Sequence, residues 1–167
     1  MPMIHFSPVL LTRKSFPEFD RVNVRAIVDA GSAFDLGFAF QRRAPDEAHN
    51  PNALALFGGG KDEGEDVREA VVRELKEELP GFRFDWLDPV CGYDRFYEDT
   101  GKRALDLIAV AYGHLRSEEC REGTMERLPC VSVALSDPTL GSTPRHAIET
   151  ALGRGVIKRR PVRLHLV

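Results

Sequence analysis

Cysteine is scarce in this chain and poorly placed for cross-linking. Cys91, Cys120 and Cys130 are odd in number and form no close pair. That excludes a zinc knuckle and a disulfide framework, and it predicts a reducing, cytoplasmic setting. Long apolar runs are missing as well. The best of them, Leu107 to Tyr112, suits a buried strand and falls far short of a membrane span. Met1 to His5 carries no charged stretch leading into an apolar one, so no signal peptide is expected. Neither sign of charge dominates: the formal charge is −3, which predicts no general affinity for nucleic acid or anionic membrane. The histidines, His5, His49, His114, His146 and His165, are scattered without metal-binding spacing. Repeats, low-complexity tracts and dividing linkers are also absent, so 167 residues with 43% apolar content predict one domain spanning 1–167.

One stretch stands out, from Leu56 to Gly81: a glycine run, Gly58-Gly59-Gly60, leading into an acidic segment. The early carboxylates predict a helix from Glu65 or Asp66, ending near Leu79 because Pro80 disfavours helical geometry before it. With Glu74 set at zero and 100° per residue, Val67, Val71, Leu75, Leu79 and Ala70 define an apolar arc. Glu78 falls inside that arc at about 40°, and Glu77 at its edge at about 300°. Lys76, Glu69, Glu65, Asp66 and Arg73 fall on the opposite side. An acid-rich helix is ordinarily a solvated face, but Glu74 and Glu78 sit where the core stripe belongs. Partly buried carboxylates need a partner or a proton, and like charges four residues apart repel. A bound cation answers both needs, and an all-oxygen set points to Mg²⁺ or Mn²⁺ with positions left for substrate phosphates.

These residues resemble the Nudix box, G-x5-E-x7-R-E-U-x-E-E-x-G-U, where U is a bulky aliphatic. Gly59, Glu65, Arg73, Glu74, Leu75, Glu77 and Glu78 are in register with it. The departure is at the end, where Pro80 stands in place of glycine and Gly81 in place of the last aliphatic. The resemblance implies an α/β/α sandwich with a mixed β-sheet and a pyrophosphohydrolase activity. It implies metal ligation by Glu74, Glu77 and Glu78, with a carbonyl of Gly58 or Gly59 completing the shell. Arg73 and Glu65 match positions that brace the loop and orient the acids, supporting the metal ligands from behind as Gly59 does. Other glycine-loop readings fail: no Ser or Thr follows Lys61 as a P-loop requires, and Glu63 replaces the third glycine of a dinucleotide fingerprint. A calcium loop fails likewise, since Val67 stands where its glycine belongs.

Outside the box, strands are expected at Val22–Asp29, Phe34–Gln41, Ala53–Phe57, Phe82–Leu87, Val90–Tyr97, Arg103–Leu115 and Leu128–Leu135. Ala30-Gly31-Ser32 reads as a hairpin turn and Arg145–Leu152 as a helix ended by Gly153. Pro8–Thr12 reads as an edge strand, Ser117–Arg127 as a polar loop, and the basic close Lys158–Val167 as a last strand. Arg42 with its neighbour Arg43, and Lys61, are candidate substrate contacts, against a plain solvated edge. Tyr97 is another, as a base-stacking platform or a simple strand aromatic. The resemblance also implies an extra acid from a later loop, and Glu118, Glu119, Glu122 and Glu126 are the candidates, with Glu122 the leading one.

The expected partner is a phosphorylated small molecule, a nucleoside diphosphate linked to another group: a nucleoside triphosphate, nucleotide sugar or dinucleoside polyphosphate. No membrane partner is expected, and a homodimer is implied by the resemblance. The rival reading is a non-catalytic nucleotide sensor or RNA-binding module on the same scaffold.

Overall fold

The computed structural model describes residues 2–31 and 37–157. Eight strands form one sheet in the order β1-β6-β7-β2-β3-β4, with β5 pairing β2 and β8 pairing β3. The strands are β1 (Met3–Ile4), β2 (Arg21–Asp29), β3 (Phe38–Arg42), β4 (Leu54–Ala55), β5 (Phe57–Gly60), β6 (Phe82–Tyr97), β7 (Lys102–Leu115) and β8 (Thr124–Leu128). β2 runs parallel to β7 and antiparallel to β3 and β5, so the sheet is mixed. Alternation along β2 and β7 divides the core into two layers. Val24, Ala26, Leu105, Leu107 and Ala109 face helix α1 (Val67–Glu78), together with Val71 and Leu75. Ile27, Ile108 and Val110 face α2 (Val131–Ser136) and α3 (Ser142–Gly153), where Ala134, Ala147 and Ile148 meet them. Helices therefore cover both faces, an α/β/α sandwich. No helix among the described residues is long and apolar enough to cross a membrane.

Several expectations need correction. Pro8–Thr12 is a 3₁₀ turn, because Pro8 cannot donate to a ladder and the Leu10 and Arg13 amides close on Ser7 and Leu10 carbonyls. Strands Phe82–Leu87 and Val90–Tyr97 are one strand, β6. Its register against β7 shifts twice, and one shift accommodates Pro89. The polar segment 117–127 ends in a strand, since β3 offers β8 a complete antiparallel partner from Phe38↔Leu128 to Arg42↔Thr124. The expected strand Leu128–Leu135 turns into α2 after Pro129, burying Val131 and Ala134 one turn apart. The glycines expected as loop, Gly58 to Gly60, are ladder residues opposite Asn23 to Arg25. Ser32, Phe34 and the basic close Lys158–Val167 lie outside the described residues.

Candidate functional site

The helix that carries the acids is locally well specified. Asp66 caps its start by accepting the Glu69 amide, and the Glu69 carboxylate accepts the Asp66 amide in return. The last helical hydrogen bond runs from the Leu79 amide to the Leu75 carbonyl at 2.8 Å, just before Pro80. The exit then tightens: Phe82 donates to the Leu79 carbonyl, and Gly81 passes so close to Ser117 that a Cβ there would lie 2.2 Å from its Oγ.

Packed between sheet and solvent, α1 lays Glu74 and Glu78 against β5. The Gly58 amide donates to Glu78 Oε2 at 2.8 Å. Gly58 has φ +139°, and a Cβ on it would lie 2.0 Å from the Val24 carbonyl oxygen, so only glycine brings the backbone here. A Cβ on Gly59 would lie 2.7 Å from the Glu74 carboxylate, which therefore rests directly over that glycine.

Arg73 ties the loop to the helix. Its Nη1 donates to Glu74 Oε1 at 2.8 Å, and its Nη2 to the Gly60 carbonyl and Glu65 Oε1, each at 2.8 Å. Glu65 in turn accepts the Asp62 amide at 2.6 Å. The hydrogen bond from Arg73 holds the Glu65 carboxyl below its ordinary range and, reciprocally, keeps the guanidinium protonated. Helical periodicity put Arg73 on the water side, yet its side chain is only 27% exposed because it folds back over the glycines.

Glu78 is the perturbed acid. Burial pushes its carboxyl up to about 7, against the Gly58 amide that favours the ionised form; Glu74 and Glu122 raise it further, and Arg25 lowers it. Glu77 points outward, 56% exposed, with Oε2 3.5 Å from Arg73 Nη1. Among the described residues, no three His, Cys, Asp or Glu side chains are already gathered about one point. The donor set nevertheless suits a hard divalent cation, because Glu74 and Glu78 crowd Gly58 and Gly59 and a buried acid is left with too little positive charge.

Of the loop acids, Glu122 comes within electrostatic reach of Glu78. Its backbone carbonyl accepts from Gln41 Nε2 and Cys120 Sγ, and the Arg121 amide donates to the Glu78 carbonyl at 3.0 Å. Glu118 and Glu119 are exposed. Glu126 lies on β8, paired with Arg42 at 2.8 Å. Arg42 is fully engaged: it also donates to Asp137 Oδ2, Thr139 Oγ1 and the Asn52 carbonyl, clamping β3 to the segment before α3. The Lys61 ammonium donates to the Asp62 carbonyl beside the loop. Tyr97 stands 43% exposed at the end of β6, in a shallow hollow with Phe96 and Arg103.

Sequence reasoning missed Arg25. It pairs with Gly58 across β2 and β5, faces the α3 side with Ile27, and its side chain makes no hydrogen bond or ion pair among the described residues. The signal was available, since an arginine interrupts the apolar stretch Val24 to Val28. Arg25 also lines a cleft of about 500 Å³ between the sheet, β4 and the start of α3.

The NUDIX domain model matches residues 20–119, more than half of the chain. No curated protein matches the chain significantly. Among solved structures, the chain is similar to the MutT NUDIX hydrolase of Burkholderia pseudomallei, at 22% identity and TM-score 0.56 over 78% of this chain and 96% of that one. The MutT protein of Methanosarcina mazei Go1 aligns at 20% identity and TM-score 0.61, over 83% and 96%. The NUDIX domain of Shewanella oneidensis NrtR, a structure complexed with ADP ribose, aligns at 16% and 0.61, over 89% and 99%. These likenesses show the fold; the family model, matching more than half of the chain, establishes that it belongs to the Nudix family.

Proposed function

We propose that the protein hydrolyses the phosphoanhydride of a nucleoside diphosphate linked to another group, with a divalent cation as cofactor. The observation that carries this reading is the buried Glu78 carboxylate, seated on the Gly58 amide with Glu74 over the next residue. Glu74, Glu77 and Glu78 would hold Mg²⁺ or Mn²⁺, with the Gly58 carbonyl as a further oxygen. A cation bound there neutralises the diphosphate and makes a water more acidic. Arg73 fixes the Glu74 carboxylate and the Gly60 carbonyl, so the acids meet their ligand already aligned. Arg25, whose side chain has no bonded partner among the described residues, supplies positive charge for the phosphates beside Glu78. Glu122 lies near without a place in the box, and accepts the proton from the attacking water. Water oxygen forms a new bond to one phosphorus, the bridging P–O bond breaks, and the other phosphate leaves with the electron pair. Lys61, Arg42 and Tyr97 stay secondary in this scheme: Lys61 borders the loop, Arg42 shapes the cleft from behind, and Tyr97 belongs to a separate hollow.

With a net charge of −3, small nucleotides rather than nucleic acid are the proposed partners. Cytoplasmic residence as one domain, and assembly as a homodimer, belong to the same proposal; light scattering tests the assembly. The activity is tested with nucleoside triphosphates, nucleotide sugars and dinucleoside polyphosphates in Mg²⁺ and Mn²⁺, comparing the parent with Glu78→Gln. Phosphate release should appear with the parent and fall by roughly 10²-fold or more in the variant, with folding retained. Equal turnover in both would overturn the site; metal-dependent nucleotide binding without any product would turn the reading to a sensor.

A further inference from the structure

The cleft on the α3 side of the sheet is more basic than a diphosphate site requires. Its lining includes Arg25, Arg43 and Arg95 and no acidic residue. The three arginines are not equivalent. Arg95 is committed: it forms an ion pair with the buried Asp106 and donates to Thr143 Oγ1 at 2.6 Å, fastening β6 to α3. Arg25 marks the end nearest Glu78. Arg43 marks the other end. Its Nη2 is held by Glu47 at 2.8 Å, whereas its Nε is buried and, among the described residues, has no hydrogen-bond partner and, unlike the equally buried Arg95 Nε, no ion pair.

A buried guanidinium N–H without an acceptor is costly, and an incoming oxyanion would satisfy it. Strand pairing sets the spacing between the two ends. Arg25 pairs with Gly58, and the Arg43 amide donates to the Ala53 carbonyl at 3.0 Å. Ala53 and Gly58 are five positions apart, a span of at most about 17 Å, and each arginine backbone lies one strand spacing of about 5 Å from its partner. The rest of the lining is uncharged: Leu54, Leu56 and Pro144 stand beside the hydroxyls of Thr139, Ser142 and Thr143. A ligand complementary to this lining is charged at both ends and carries an uncharged ring between.

We infer that the substrate carries, besides its diphosphate, a separate phosphomonoester whose oxygens take the Arg43 end of the cleft. This rests on the proposed hydrolase reading and narrows its substrate class. A second phosphate there removes an unsatisfied donor and adds a charge-assisted contact, so it favours affinity as well as turnover. An unphosphorylated analogue leaves the Arg43 Nε unmatched and should be discriminated against.

The test uses matched compounds that differ only in that group. One pair is coenzyme A and its dephospho form, with the phosphate on the nucleoside half. The other is ADP-ribose with and without a phosphate on the distal ribose, which places it on the leaving half. Dissociation constants are measured by calorimetry on metal-free protein, and kcat/KM with Mg²⁺, for the parent, Arg43→Gln and Arg43→Lys. In at least one pair the parent should prefer the phosphorylated member by about tenfold or more. Arg43→Gln should abolish that preference while leaving the unphosphorylated member unaffected, and Arg43→Lys should restore part of it. Thermal melts confirm that the variants fold, which is expected because the Arg43 side chain's one ion pair among the described residues is with Glu47. No preference in either pair, or an equal preference in parent and Arg43→Gln, would overturn the inference. The calorimetry does not depend on hydrolysis, so a failure of the activity reading alone would show as preserved binding preference without product.

Discussion

The two faces of the sheet use charge in opposite ways. On the α1 side the charged groups come from one continuous stretch, Gly58 to Glu78, and are closely cross-bonded: Arg73 alone binds Glu65, Glu74 and the Gly60 carbonyl. On the α3 side Arg25, Arg43 and Arg95 come from three separate parts of the chain, and among the described residues only Arg95 is held by two partners, Asp106 and Thr143. The first arrangement is a finished scaffold in which one acid, Glu78, stays strained by burial. The second is a cleft with donors to spare. An acidic surface and a basic one thereby lie on opposite sides of β2, and Arg25 acts electrostatically on Glu78 from one to the other.

The sharpest way to break this contrast is at adjacent glycines. Gly58→Ala forces a Cβ to 2.0 Å from backbone at a positive φ that alanine rarely adopts, with nothing flexible to yield. It should lower stability by about 3 kcal/mol or more, or prevent folding, as read by urea denaturation. Gly59→Ala meets only the end of the Glu74 side chain at 2.7 Å. It should fold with little loss and forfeit turnover, by roughly tenfold or more, because Glu74 is displaced.

The Arg42 clamp is a control lying off both charged surfaces. Arg42→Ala removes two ion pairs and leaves Asp137, whose carboxyl that arginine holds down to about 2, without its counter-charge. A loss of about 1–3 kcal/mol is expected in denaturant melts, with kcat little changed. A large fall in kcat at unchanged stability would instead move Arg42 into the substrate's path.

The smallest effect concerns pH without metal. Glu78 binds its proton more tightly folded, at about 7, than unfolded, at about 4.5. Its favourable contribution is therefore complete below the unfolded value and is lost as pH rises through the folded one. Between pH 4.5 and 7 the metal-free parent should lose about 1–2 kcal/mol relative to Glu78→Gln, after allowance for solvent screening. Parallel stability profiles for the two proteins would show that Glu78 is not strained.

The α1 side was legible in the sequence because its residues are contiguous and its helix is periodic, so Glu78 in an apolar arc was visible as an anomaly. The α3 side was not. Arg25 acquires its meaning from lying opposite Gly58 and beside Glu78, which no local pattern encodes. The segment Thr124–Leu128 reads as polar loop until β3 supplies its ladder, and Leu128–Leu135 reads as strand until Pro129 turns the chain into α2. Apolar content identifies the layers; pairing decides what each polar residue meets.

The departure from the family pattern at Pro80-Gly81 has a mechanical consequence. The turn after α1 is locked to the outgoing segment: Arg116 donates to the Gly81 carbonyl, Arg121 to the Glu78 carbonyl, and Gly81 lies flush against Ser117. The acid at the helix end and the acid on the loop thus share a single mount. If α1 slides or tilts as a ligand enters, Glu78 and Glu122 travel with it together. The Gly58 amide ties Glu78 in turn to the strand opposite Arg25, so helix, loop and sheet all meet at that one carboxylate.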